Sequence, residues 1–288
     1  MAFSKIGVVG CGLMGSGIAQ VCAQKGFRVV VREANQELLQ KGLDRIKGFL
    51  AEGVKRGKVQ QADMDKTLAN LKGTTNLRDL ADVDIVIEAI TENMDAKKAL
   101  WKELDGICKR ETIFASNTSS LSITEMASVT QRQGKFIGMH FMNPVPLMKL
   151  VEIVRPEIAD PDTYESVRQL GESLGKILIT AKDTPGFIVN LLLVPFLCEA
   201  VRAVENGLAT PQDIDTGMKL GCGHPMGPLE LADYVGLDTT LYIADVIYGQ
   251  FKDPKYAAPP LLRRMVMAGR LGRKTGRGFY EWEGDKRK

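Results

Sequence analysis

The first residues able to do chemistry are a histidine and an acid on two predicted strands. The chain has only two histidines, and imidazole is the side chain best suited to accept a proton near neutral pH. His140 follows the predicted strand Lys135 to Met139, and Glu152 is the one acid in the apolar strand Leu150 to Val154. If these strands are neighbours, the Glu152 carboxylate accepts the imidazole N–H and fixes its tautomer. The alternatives are a hydrogen-bonded core histidine and an outward-facing glutamate.

A glycine turn indicates a nucleotide site. Gly10-Cys-Gly12-Leu-Met-Gly15 lies between the predicted strand Ile6 to Val9 and the predicted helix Met14 to Gln24. In this pattern the first glycine permits the tight turn, the second lets a pyrophosphate approach the backbone, and the third lets helix and strand pack closely. The unpaired N–H groups at the helix start then bind phosphate.

An acid after the second strand favours one dinucleotide over another. Glu33 follows the predicted strand Phe27 to Val31, where a carboxylate accepts both ribose hydroxyls and repels a 2′-phosphate. NAD is therefore favoured over NADP, although the neighbouring Arg32 weakens that repulsion.

Further polar residues are candidates for the same crevice. Asn117, Ser119 and Ser120 follow the predicted strand Thr112 to Ser116, but a helix N-cap loop explains them equally well. Asn190 lies inside the predicted apolar helix Gly186 to Cys198, where an unpaired amide costs about 1–3 kcal/mol. His224 stands in a turn rich in glycine and proline, and we interpret it as structural.

Strands and helices alternate up to about residue 184, which predicts a Rossmann-type α/β fold with a doubly wound, mostly parallel sheet. A charged helical excursion interrupts it at about 36–71. From Pro185 onward only helical periodicity is found. We therefore predict two domains, residues 1–184 with the dinucleotide site and an all-α domain over residues 185–288 for substrate binding and dimerisation. The terminal residues Asp285 to Lys288 are expected to fray.

Composition excludes several classes of partner. The 38 basic and 35 acidic side chains leave a formal charge of +3, too balanced for nucleic-acid binding by bulk electrostatics. No apolar run reaches the ~20 residues of a membrane span. The five cysteines form no metal-binding cluster and are expected to be free thiols in a reducing compartment. With no export signal visible, we expect a cytoplasmic protein without a bound metal.

Several longer motifs extend this interpretation from one end of the chain to the other. They are the glycine turn through Ala19, Ala115–Ser120, Gly138–Val145, Asp183–Asn190, His224–Glu230 and Gly272–Tyr280. In these motifs, and in their order and intervals, the chain resembles the L-3-hydroxyacyl-CoA dehydrogenase family.

The resemblance implies NAD-dependent oxidation of an (S)-3-hydroxyacyl-CoA, with a short acyl chain, to the 3-ketoacyl-CoA, or the reverse reduction. It makes His140 the general base and Glu152 its orienting partner, with Ser119 and Asn190 lining the same site. The cofactor contacts that it implies are Gly10, Gly12, Leu13, Met14, Gly15, Glu33, Glu92, Lys97, Asn117, Ser119, Asn143 and Lys274.

The resemblance also places coenzyme A contacts on the helical excursion. Lys55, Arg56 and Lys58 offer the positive charge that its phosphates need. We expect a homodimer through the second domain, because the run Phe187 to Leu197 is more apolar than one thin layer buries.

Two rivals remain open at this point. One is another two-domain dehydrogenase acting on a hydroxy acid, and the other is a non-catalytic relative that kept the fold, as lens crystallins of this lineage have.

Overall fold

The computed structural model describes residues 3–288, which form two units. The first unit ends at Thr184, and the second begins at Pro185. Within the described residues no helix is long and apolar enough to cross a membrane.

The first unit is built on one eight-stranded sheet. Its strands are β1 Lys5–Val9, β2 Arg28–Arg32, β3 Leu71–Thr74, β4 Ile85–Glu88, β5 Ile113–Ser116, β6 Phe136–Phe141, β7 Leu150–Arg155 and β8 Ile177–Lys182. Its helices are α1 Leu13–Gln24, α2 Gln36–Lys55, α3 Gln61–Ala69, α4 Met94–Ile107, α5 Ile123–Ala127 and α6 Pro161–Ser173.

The strand order is β3-β2-β1-β4-β5-β6-β7-β8. The chain leaves β1 for β2 on one side and later returns to pair β4 on the other side of β1. The order therefore reverses between β1 and β4, and in an open sheet of this type ligands bind beyond the carboxyl ends of the strands at that point. The predicted fold class is confirmed.

Two strands, β7 and β8, run against the other six strands of the sheet. Strands β6 and β7 pair antiparallel, whereas β7 and β8 are parallel to each other. The connection between β6 and β7, residues 142–149, is too short for the crossover helix that a parallel pair needs. This reversal places His140 directly opposite Glu152 in the strand register.

Strand β3 was not predicted from the sequence. Its residues, Leu-Lys-Gly-Thr, carry no apolar run because β3 is an edge strand that is only half-buried. Pairing with the buried strand β2 creates it.

The second unit is helical except at its end. Its helices are α7 Val189–Glu205, α8 Pro211–Cys222, α9 Pro228–Val235, α10 Leu237–Phe251 and α11 Pro260–Met267. Two short strands, β9 Trp282–Glu283 and β10 Lys286–Arg287, pair antiparallel. The predicted helical second domain is present, but the sequence did not reveal this terminal hairpin, and the expectation that Asp285 to Lys288 fray was wrong. Two-residue strands carry no periodicity that a sequence reading detects.

Two buried aspartates connect this C-terminal segment to the helices. Asp233 accepts hydrogen bonds at 2.9 Å from the backbone N–H groups of Phe279 and Tyr280 and from the indole N–H of Trp282. Asp215 accepts the hydroxyl proton of Tyr280 at 2.7 Å and the N–H of Leu229 in the first turn of α9 at 2.8 Å. Burial raises the pKa of Asp233 above its usual range.

We predict that Asp233→Asn destabilises the protein by about 1–3 kcal/mol, because an amide has one acceptor oxygen for three N–H donors and its own NH₂ faces them. Urea unfolding followed by circular dichroism measures the change. Glu281→Gln, an exposed acid in the same segment, is the matched control and should unfold at the same urea concentration as the wild type. Equal stability of the Asp233 variant would contradict this role.

Candidate functional site

The glycine turn has the shape of a phosphate cradle. Gly10 adopts φ +93°, a left-handed conformation, and a side chain there would collide with the Ala89 carbonyl. A Cβ added to Gly12 would meet no atom within 4 Å, so the backbone is approachable from that side. Gly12 is the N-cap of α1 and no side chain caps its first turn. The N–H groups of this turn are therefore suited to bind the phosphates of a dinucleotide.

Glu33, which directly follows β2, is hydrogen-bonded to the glycine turn. One carboxylate oxygen accepts the backbone N–H of Cys11 at 2.7 Å, and the other accepts the N–H of Ala34 at 2.7 Å. A carboxylate has about four acceptor positions, so these two bonds leave capacity for ribose hydroxyls. Burial raises the pKa of the Cys11 thiol to about 11, and the Glu33 charge adds to the effect. Cys11 is therefore a packing residue under the turn.

A buried network of charged and hydroxyl side chains lies at the carboxyl ends of β4 and β5. The Glu88 side chain is fully buried and accepts from the Lys97 ammonium at 2.6 Å and from the Ser116 hydroxyl at 2.6 Å. Lys97 also lies 3.3 Å from Glu92. One buried ammonium is thus shared between two carboxylates. Its contact with the cofactor stays a prediction, whereas its contact with both acids is a feature of the structure.

Glu92 in turn holds the segment that follows β5. It accepts the Ser119 N–H at 2.5 Å and the Thr118 hydroxyl at 2.9 Å. Asn117, also in this segment, accepts the backbone N–H of Phe141 at 2.9 Å through its side-chain oxygen. The polar residues after β5 are therefore attached both to the loop that follows β4 and to the end of β6, where His140 lies.

His140 and Glu152 are in direct contact. The imidazole Nδ1 lies 2.6 Å from a Glu152 carboxylate oxygen, and both side chains are buried. Because an ionised carboxylate only accepts hydrogen bonds, Nδ1 carries the proton and Nε2 carries the basic lone pair. The sequence predicted this contact only if the two strands are neighbours. The structure shows both the pairing of β6 with β7 and the contact itself. The arrangement suits a general base braced by an acid.

The other predicted residues of the first unit lie in the loop after β6, on the helical excursion and at the start of α1. Asn143 is exposed in the loop after β6, three positions beyond His140. Lys55 and Arg56 end α2 and are exposed, with Arg56 paired to Glu52 at 2.6 Å. Lys58 is exposed in the turn between α2 and α3. Leu13 and Met14 form the first turn of α1.

Two predicted residues belong to the second unit. Asn190 is the second residue of α7 and half-buried. The prediction of a helix running from Gly186 placed it deeper in the helix, and that position was wrong. Lys274 forms an ion pair with Asp238. His224 packs its ring edge-on against Phe196, with centroids 5.6 Å apart, and its structural role stays a prediction.

Sequence reasoning missed the role of Glu88. The signal was present, because Glu88 is the one acid between the apolar residues Ile85 and Ile90, as Glu152 is in its own strand. Its partner Lys97 is nine positions away on a helix, and no local pattern connects the two. Among the described residues no group of histidine, cysteine and acidic side chains has the arrangement of a metal site, and the five cysteines are free thiols.

Together these features define a class of protein. A doubly wound sheet carries a glycine turn, a carboxylate after the second strand and a histidine hydrogen-bonded to a buried acid, and this combination is typical of a nicotinamide-dependent dehydrogenase. Comparison with known proteins agrees. The model of the 3-hydroxyacyl-CoA dehydrogenase NAD binding domain matches residues 5–184, and that of the 3-hydroxyacyl-CoA dehydrogenase C-terminal domain matches residues 186–282.

The chain belongs to the 3-hydroxyacyl-CoA dehydrogenase family, as the resemblance predicted. A probable 3-hydroxybutyryl-CoA dehydrogenase of Deinococcus radiodurans is 50% identical over 96% of this chain and 100% of its own length. The structure of (S)-3-hydroxybutyryl-CoA dehydrogenase PaaH1 from Ralstonia eutropha is similar with a TM-score of 0.94 and 49% identity, covering 98% of this chain and 100% of the other. That of FadB2 from M. tuberculosis is similar with a TM-score of 0.96 and 44% identity at the same coverage.

We predict that Lys97→Met lowers the free energy of unfolding by about 3–5 kcal/mol, because it leaves the buried Glu88 charge without its cation. Urea denaturation of the variant and the wild type measures this difference. Lys102→Met changes an exposed lysine of the same helix and should stay within about 0.5 kcal/mol of the wild type. A Lys97 variant as stable as that control would show that the network does not hold the site together.

Proposed function

We propose that this protein catalyses the NAD-dependent oxidation of an (S)-3-hydroxyacyl-CoA to the 3-ketoacyl-CoA and the reverse reduction. Short acyl chains, with 3-hydroxybutyryl-CoA and acetoacetyl-CoA as the pair, are the proposed substrates. The observation that carries the proposal is the 2.6 Å contact between His140 and the buried Glu152 at the carboxyl end of β6, in a sheet that carries the dinucleotide-binding turn.

The residues of the chain fit the cofactor. The open space in front of Gly12 accommodates a pyrophosphate on the backbone, and the uncapped start of α1 supplies N–H donors. Glu33, with acceptor capacity beyond the Cys11 and Ala34 bonds, is suited to the ribose hydroxyls and repels a 2′-phosphate. When bound, NAD supplies the acceptor for the hydride that leaves C3 of the substrate.

The protein itself moves the proton. In the oxidation, His140 Nε2 accepts the proton of the 3-hydroxyl group as the C3 hydride departs, so that a carbonyl forms at C3. The Glu152 carboxylate stabilises the imidazolium through Nδ1–H, as the acid of a catalytic triad does. In the reduction, the same imidazolium returns the proton to the oxygen. Ser119 and Asn190 are proposed to orient the hydroxyl and the thioester end of the substrate.

A homodimer formed through the second unit is part of the proposal, but the run from Phe187 to Leu197 supports it less than the sequence suggested. Phe187, Val194 and Leu197 are buried within the unit itself, and only Leu192 of the apolar residues in that run is largely exposed. Elsewhere in the second unit, Leu208, Leu220 and Met267 are also largely exposed apolar side chains.

We expect His140→Ala to lower kcat at least about a hundredfold, because general-base catalysis contributes ~10²–10⁴-fold. The assay follows NADH absorbance at 340 nm with acetoacetyl-CoA. His224→Ala, which removes the other histidine, is the control and should retain wild-type kcat. Near-normal turnover by the His140 variant, with fold and NAD binding intact, would defeat the assignment.

Glu33→Ala is expected to weaken NAD binding by about tenfold or more, because it removes both the ribose acceptor and the brace on the Cys11 N–H. Binding of NADP should change much less, since the same substitution also removes repulsion of the 2′-phosphate. Fluorescence titration with NADH and NADPH gives the two dissociation constants. Equal weakening of both cofactors would remove Glu33 as the discriminating residue.

A further inference from the structure

Glu88 lies where the order of the strands reverses. It is the last residue of β4, and β4 pairs with β1 on the side away from β2. Its side chain is fully buried. An ionised carboxylate in such a position is costly unless hydrogen bonds compensate its charge. The donors that compensate it therefore show which parts of the molecule this acid holds.

Both carboxylate oxygens of Glu88 accept hydrogen bonds. Oε1 accepts from the backbone N–H of Ile90 at 2.8 Å and from the ammonium of Lys97 at 2.6 Å. Oε2 accepts from the hydroxyl of Ser116 at 2.6 Å. Bonds to an ionised group are roughly twice as strong as neutral ones, so three of them hold the carboxylate in one orientation. From its two oxygens, two separate connections lead to the segment after β5.

The first connection runs through Ser116. Its hydroxyl donates to Glu88 and accepts the backbone N–H of Thr118 at 3.2 Å. Because a hydroxyl has a single proton to donate, donation to the carboxylate sets the direction of the lone pairs that face Thr118. Ser116 is the last residue of β5, so this bond fixes the chain as it leaves the strand.

The second connection runs through Lys97 and Glu92. The Lys97 ammonium lies 2.6 Å from Glu88 and 3.3 Å from Glu92. Glu92 accepts the backbone N–H of Ser119 at 2.5 Å and the hydroxyl of Thr118 at 2.9 Å. Both connections therefore end at the same two adjacent residues.

The distances indicate that Glu88 does more than neutralise Lys97. Glu92 could balance the ammonium by itself, and with 28% of its side chain exposed it is the less costly acid to keep ionised. The ammonium nevertheless lies closer to the fully buried acid. Since charge-assisted N–H···O bonds are about 2.7–2.9 Å long, Lys97 is bonded to Glu88 and only near Glu92. The bonds from Glu92 to Thr118 and Ser119 are thus not displaced by the ammonium.

We propose that Glu88 is a positioning residue for the proposed reaction. Through its two connections it fixes the backbone of Thr118 and Ser119, so that the Ser119 hydroxyl keeps a constant place at the site. The inference rests on the proposed function, in which Ser119 orients the substrate hydroxyl. When the Glu88 charge is removed, the Lys97 ammonium moves toward Glu92 and competes with the Ser119 N–H for that carboxylate.

Glu88→Gln tests the proposal without a change in side-chain size, and Glu103→Gln, at an exposed acid on α4, is the matched control. Hydrogen exchange followed by mass spectrometry, on protein without substrate, compares residues 117–121 with strand β6. We expect exchange at 117–121 to accelerate about tenfold more than exchange in β6 in the Glu88 variant, and neither segment to change in the control. An equal acceleration of both segments indicates only a loss of global stability and overturns the proposal, as does no acceleration at 117–121.

Kinetics tests whether the fixed segment matters to the reaction. With saturating NADH and acetoacetyl-CoA, Glu88→Gln should lower kcat about tenfold or more, because small displacements of orienting groups are costly. The Glu103 variant should retain the wild-type kcat. In a protein that already carries Ser119→Ala, Glu88→Gln should change kcat by less than about twofold, because the hydroxyl that Glu88 positions is absent. If the losses from the two substitutions multiply in full, Glu88 does not act through Ser119.

A second variant keeps the test decisive if Glu88→Gln does not fold. Ser116→Ala removes one connection and leaves the ion pair of Glu88 with Lys97 in place. It should accelerate exchange at 117–121 and lower kcat, each by about threefold or more, and wild-type values of both would overturn the proposal. The absence of NADH oxidation by the wild type would refute the proposed function, whereas exchange without substrate would still decide whether Glu88 holds the segment.

Discussion

The structure of the site depends on the hydrogen bond between His140 and Glu152 across two antiparallel strands. Both side chains are buried, and a buried carboxylate is costly unless its charge is compensated by hydrogen bonds. The partner must therefore lie opposite, and the register of β6 and β7 places it there. The eight-residue connection between these strands enforces the antiparallel pairing. The imidazole of His140 is consequently positioned by the sheet and not by a loop.

A second buried acid, Glu88, holds neighbouring side chains in place at the carboxyl ends of the strands. Glu88 ends β4 and draws the Lys97 ammonium and the Ser116 hydroxyl toward it, while Glu92 holds the segment containing Ser119. Networks of this kind are stable only when each member has its partners. They explain how the residues after β5 keep fixed positions near the end of β6. The second unit also contains buried acids that hold separate segments together. There, Asp215 and Asp233 hold the C-terminal segment against α9.

The sequence by itself determined the glycine turn, the alternation of strands and helices, and the family to which the chain belongs, since each depends on residues close together in the chain. It also singled out His140 and Glu152, because a lone acid in an apolar strand is conspicuous. It did not reveal strand β3, the hairpin of β9 and β10, or the role of Glu88, because edge strands and short hairpins lack periodicity and the partners of Glu88 are distant. Only the tertiary structure decided that β6 and β7 run antiparallel and that the Lys97 ammonium meets the buried Glu88 carboxylate. The physical reason is that strand pairing and electrostatic potential arise from residues brought together in space, which local patterns do not encode.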